Sequence, residues 1–141
     1  MKSIKYAVVL LFALLCVGCS NYVKLTGTVS FSDDNAPVEA GMVYFVSQDG
    51  KFSATGEIKN GAFAVSSLKP GDGLPKGTYN VYFAGIEKVV KESRELANGD
   101  TTEAETAPAI DLKYMSASTS GITTNVDGST KTVDYKLDRA K

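Results

Sequence analysis

The residues in this chain that could do chemistry are few, and the shortage itself narrows the function. None of the 141 residues is histidine. A Ser-His-Asp or Cys-His relay needs an imidazole to carry the proton between nucleophile and leaving group, so neither can be built. Histidine-based zinc and non-haem iron sites are excluded for the same reason. The only thiols, Cys16 and Cys19, close an uncharged apolar run and are too near each other to act as a structural staple. Glu92, Glu95, Glu103 and Glu105 fall in one acidic stretch, but nothing local fixes two of them at a working separation, and they read as a solvated face. Asp33-Asp34-Asn35 is rich in oxygen donors. It lacks the alternating ligands and closing Glu of a calcium loop, and reads as a turn. The expectation is no catalytic residue, no cofactor and no metal site, so the chain is expected not to be an enzyme.

Seven tyrosines remain, with no tryptophan. Tyr79 and Tyr135 fall on apolar faces of alternating runs and belong to a core. Tyr82 falls on an outer face and Tyr114 beside an irregular stretch. These two are the candidate contacts for a ligand or partner, since an exposed tyrosine can stack on a sugar ring or anchor a protein. The competing reading is a lone surface aromatic or a cross-strand contact.

The start of the chain has a different logic. Lys2 and Lys5 give a basic beginning, Tyr6 to Val17 is apolar and uncharged, and Gly18 precedes Cys19 before the sequence turns polar. That order is an export signal. The run is shorter than the roughly 20 residues that span a bilayer; a retained membrane helix or a buried core helix are the alternatives. The tetrad Cys16-Val17-Gly18-Cys19 resembles the lipobox of bacterial lipoprotein signals, departing from it at Cys16, where Leu is usual. The resemblance implies cleavage before Cys19 and attachment of a diacylglyceryl group to its sulfur, often with palmitate or another acyl chain on the freed amine. It also implies that Ser20 directs the protein to the outer membrane where there is one. Residues 1–18 are then a signal peptide and 19–22 a short lipidated tether reaching roughly 10 Å.

Loss of Lys2 and Lys5 with the signal leaves 13 basic against 16 acidic side chains, a net charge of −3. There is no basic stripe of the kind a phosphate backbone demands, so nucleic acid is disfavoured as a partner. The expected partners are the membrane, through the anchor, and another envelope protein or a glycan.

Residues 23–141 read as one all-β domain. Val23 to Phe31 alternates apolar and polar, and Met42 to Val46 is apolar on both faces, as suits a central strand. Ser53 to Ile58 alternates more weakly, and Asn60-Gly61 is the strongest hairpin signal in the chain, with Phe63 and Val65 on the returning strand. Tyr79 to Phe83, Ile122 to Val126 and Val133 to Leu137 complete about seven strands, a pattern that suits a β-sandwich. An irregular acidic insertion covers about 85–120. Within it Glu87 to Leu96 is expected as a short helix capped at Asn98-Gly99, and Gly99 to Ala109 as flexible chain.

Several segments, in order, resemble the transthyretin-like, carboxypeptidase-regulatory-like domains of small bacterial lipoproteins. They are Leu25-Thr26-Gly27-Thr28-Val29, Gly41-Met42-Val43-Tyr44-Phe45, Asn60-Gly61-Ala62-Phe63, Leu74-Pro75-Lys76-Gly77-Thr78-Tyr79-Asn80-Val81, and Lys113-Tyr114 followed by Thr119-Ser120-Gly121-Ile122-Thr123. The resemblance implies a seven-stranded Greek-key sandwich and a mostly non-catalytic role. Related adhesin sandwiches join a Lys to an Asn with help from a buried acid. Here Phe83 stands where that acid is expected, so Lys24 is expected to be solvated.

Overall fold

A computed structural model of the chain describes residues 21–141; the expectations for the signal peptide, the lipobox and Cys19 lie outside the described residues. The described chain is built from strands: β1 (Tyr22–Val23), β2 (Thr26–Phe31), β3 (Ala40–Ser47), β4 (Ser53–Lys59), β5 (Ala62–Ala64), β6 (Leu74–Pro75), β7 (Gly77–Ala84), β8 (Glu87–Lys91), β9 (Arg94–Glu95), β10 (Thr101–Thr102), β11 (Glu105–Pro108), β12 (Ile122–Val126) and β13 (Thr132–Leu137). One turn of 3-10 helix, Leu112–Met115, lies between β11 and β12.

Seven strands form one sheet in the order β12-β7-β3-β4-β5-β2-β13, antiparallel except for β13, which runs parallel to β2. They correspond to the seven runs read as strands in the sequence. β12 and β13 are consecutive in the chain yet occupy opposite edges, joined only by residues 127–131. A flat sheet would hold its outer strands roughly 29 Å apart, at about 4.8 Å per step. The link reaches only about 20 Å, so the sheet must curl until its edges approach.

The curl encloses one core. Successive side chains alternate inward and outward, and the inward set includes Val29, Val43, Phe45, Ile58, Val81, Phe83 and Leu137. Phe63 fits because two neighbours lack a side chain. A Cβ on Gly27 would stand 2.4 Å from the Phe63 ring, and one on Gly56 3.0 Å from it. Tyr79 and Tyr135 are buried here as expected, with Tyr135 stacked on Phe63 at 6.2 Å and 10°. The Asn60-Gly61 turn between β4 and β5 has φ of 49° and 80°, the doubly left-handed geometry that such a dipeptide accommodates.

Strand directions define two ends. At the lower end lie the first described residues, the 48–52 turn, the 65–76 loop and the 127–131 turn. At the upper end lie the 32–39 loop, the Asn60-Gly61 turn, residues 85–121 and the C-terminal residues. Tyr22 and Val23 pair with Pro75 and Leu74, and Tyr22 packs edge-on against Phe52 at 6.1 Å.

The expected helix at Glu87 to Leu96 and the flexible chain after it are both corrected. Glu87–Lys91 pairs antiparallel with Glu105–Pro108, and Arg94–Glu95 with Thr101–Thr102, making a two-stranded arm. Asn98-Gly99 is the tip of this hairpin, not a helix cap; the Leu96 amide donates to the Asp100 carbonyl and the Gly99 amide to that of Leu96. β-branched Val89, Val90, Thr101, Thr102 and Thr106 favour strand, and the partner segment supplies the hydrogen bonds.

Candidate functional site

The upper end gathers the residues that could meet another molecule. It is built on the parallel pairing of β2 with β13, which carries Ser32 to Asp34 and Asp138-Arg139 off the sheet side by side. The segment after β13 folds over the base of the arm: the Asp111 amide donates to the Asp138 carbonyl and the Ala140 amide to that of Ala109.

Two charged clusters result. The Asp138 carboxylate accepts from Lys113 Nζ at 2.8 Å, Tyr114 Oη at 2.9 Å and Ser32 Oγ at 2.6 Å. The Lys113 contact, then those of Ser32 and Tyr114, holds the carboxyl well below the usual range, and the Asp138 contact raises the lysine. Lys113 Nζ also stands 4.7 Å from the centre of the Tyr114 ring. In the second cluster Arg139 donates from Nε to Asp33 at 2.9 Å and from Nη2 to Asp34 at 2.8 Å, while its guanidinium lies 3.7 Å above the Phe31 ring. The Asp34 carboxyl is lowered first by the Ala36 amide and further by Arg139. Lys136 Nζ donates to Asn35 Oδ1 at 2.7 Å. Arg139 and Lys136 thus occupy the oxygen donors of the Asp33-Asp34-Asn35 turn.

Beside Arg139, a groove of about 520 Å³ runs between Pro37, Glu39, Ile86 and Val89. From its rim the arm projects into solvent. All five residues of β8 are exposed, and Val89, Val90 and Leu96 are 60, 56 and 43% accessible. Lys91 pairs with Glu105 at 3.2 Å, and Thr106 Oγ1 donates to Glu87 at 2.7 Å, so the ribbon is laced by side chains as well as backbone. The arrangement can present apolar side chains on a shaped end.

The expected contact residues fare differently. Tyr82 is on the outer face, as its register requires, but its ring stacks on Tyr44 of the neighbouring strand at 4.8 Å and 11°. Tyr114 is corrected as a surface candidate: it lies in the 3-10 turn, its ring is buried and its hydroxyl is held by Asp138. The two do not form an exposed pair. Lys24 is exposed and Phe83 fully buried, as expected. Sequence reasoning missed the arm, for which Asn98-Gly99 between β-branched runs was the available signal. It also missed Asp138 and Arg139, which nothing local marks.

No protein-family model matches the chain, and no curated protein matches it. Among solved structures, the chain is similar to the major pilin subunit of Bacillus cereus, at 15% identity and a TM-score of 0.44, over 85% of this chain and 30% of the pilin chain. It is also similar to a 9R-lipoxygenase from Cyanothece, at 16% identity and a TM-score of 0.35, over 84% of this chain and 16% of that one. The chain thus spans less than a third of either protein.

Proposed function

We propose that the protein is a non-enzymatic module of the bacterial cell envelope, anchored by lipid on Cys19, that binds or scaffolds another envelope protein through its upper end. On this reading residues 1–18 are removed on export, Ser20 directs the product to the outer membrane where there is one, and the curled sheet is a transthyretin-like Greek-key sandwich. The observation that carries the binding role is the arm. A two-stranded ribbon is marginal in water by itself, yet this one holds Val89, Val90 and Leu96 in solvent. A partner laid along it would cover them. A glycan-binding role rested on Tyr82 and Tyr114, and with Tyr114 buried and Tyr82 stacked on Tyr44 the support moves to a protein partner.

The test is crosslinking in cells from a photo-reactive residue at Val90, with Tyr82 as the comparison site. One dominant protein adduct from Val90, absent from Tyr82, is the expected result. Adducts from Tyr82 alone would overturn the assignment to the arm. The anchor is tested separately: Cys19→Ala should accumulate as an uncleaved precursor that takes up no radiolabelled palmitate, and palmitate uptake by that variant would refute it.

A further inference from the structure

The lower end has a charge and a shape that the binding role does not use. Its loops carry Lys24, Lys51, Lys69, Lys76 and Lys131, all exposed, against only Asp49, Asp72 and Asp127. The end is therefore net basic in a chain whose net charge after removal of the signal is −3. Among the described residues none of these five lysines forms an ion pair; the pairs present all lie at the upper end or on the arm. The loops converge. Lys51 and Lys76 line one groove, Lys76 Nζ packs over Gly128, and the backbone of Lys24 lies against Gly73.

The three aspartates turn inward to their own loops. Asp49 accepts from Ser47 Oγ and the Lys51 amide, and Asp127 from the amides of Ser129 and Thr130. Asp72 accepts from the amides of Ser67, Leu68 and Lys69 at 2.8 to 3.0 Å. That last set braces the loop that carries Leu68, 79% accessible and the most exposed large apolar side chain among the described residues. An exposed apolar side chain on the same end as five unpaired lysines, carried by a loop braced through Asp72, is the chemistry that meets a lipid headgroup layer: the apolar group enters the acyl boundary while the cations stay among the phosphates.

We propose that the lower end docks on an anionic phospholipid surface, with Leu68 inserted and the five lysines among the headgroups, so that the upper end and its arm point away from the membrane. This rests on the anchor reading, which places Cys19 within roughly 10 Å of Tyr22, at this same end. A basic patch beside an acyl anchor is a second membrane signal, and it sets orientation where the acyl chains set only attachment.

The chain has no tryptophan, so Leu68→Trp supplies a single reporter in the full-length lipidated protein. Phosphatidylcholine vesicles with and without brominated phosphatidylglycerol are the probe, and Val90→Trp is the comparison. The expected result is a blue shift and quenching for Leu68→Trp on the anionic vesicles, reduced by added salt, with no change for Val90→Trp. Changing all five lysines to Gln should abolish the quenching while the protein still floats with the vesicles. Flotation with a water-exposed Leu68→Trp reporter would overturn the docking and leave the anchor standing. Quenching that survives the lysine changes would overturn the electrostatic contact. Failure to float at all would refute the anchor, and the orientation with it.

Discussion

The hydroxyl of Thr124 lies 2.6 Å from the phenol oxygen of Tyr135, both groups buried, and this contact joins the two edge strands of a single sheet across its core. β12 and β13 share no backbone ladder, so this pair and the short 127–131 turn mark where the curled sheet comes closest to closing on itself. Removing one partner strands the other without water. Tyr135→Phe and Thr124→Val should each cost about 1–2 kcal/mol by chemical denaturation, and the double variant clearly less than their sum. Additive costs would show that the two hydroxyls do not act as a pair.

Tyr135 also makes stability depend on alkaline pH. Burial pushes its phenol up to about 12, against a smaller opposite effect of the Thr124 hydrogen bond. The fold therefore favours the neutral phenol. That contribution is complete below the ordinary value of 10.0 and is lost as pH rises from there to about 12. The loss amounts to roughly 2 kcal/mol. Denaturation midpoints taken through this range should fall for the parent protein and fall less for Tyr135→Phe.

The acid limb should belong in part to Asp72. The amides of Ser67, Lys69 and Leu68, with that of Ser67 foremost, lower its carboxyl from 3.8 to about 2. A lowered carboxyl contributes stability above its unfolded value and loses it as pH falls through the folded one, here between 3.8 and about 2. Asp72→Asn should flatten the stability profile in that window. It should also speed hydrogen exchange at the amides of Leu68 and Lys69, which would lose a charged acceptor.

Gly27 and Phe63 give a packing test. The Cβ of Gly27→Ala would meet the ring at 2.4 Å and the Val133 carbonyl at 2.7 Å. The expected cost is about 1–3 kcal/mol. A Phe63→Leu background removes the ring and should absorb part of it, while the carbonyl clash remains. An equal cost in both backgrounds would mean that the backbone, not the ring, sets the limit.

Replacing 88–107 by a tight turn should leave the domain folded. The arm's exposed strands contribute nothing to the core, and the Ala109 amide to Ile86 carbonyl bond can still close its base. The thermal midpoint should move by less than about 4 °C. A large fall would show that the arm stabilises the sheet instead of serving a partner.

The seven strands of the sheet were legible in the sequence because alternation is local: each run from Val23 to Leu137 states which of its own side chains face inward. The Asn60-Gly61 turn was legible for the same reason, since two left-handed residues suffice to specify it. Pairing is not local. Glu87 to Leu96 carries mixed charge and adjacent valines that fit helix or strand, and it becomes strand only because 101–108 folds back to supply its hydrogen bonds. Tyr114 looked free beside an irregular stretch. Its ring is buried and its hydroxyl is held by Asp138, 24 residues on, which the parallel pairing of β13 with β2 brings to it. By itself the sequence determined the seven strands of the sheet and the absence of imidazole chemistry. The tertiary structure decided which edges meet, which tyrosine is covered and which lysines stay unpaired, because burial and charge pairing depend on neighbours distant in the chain.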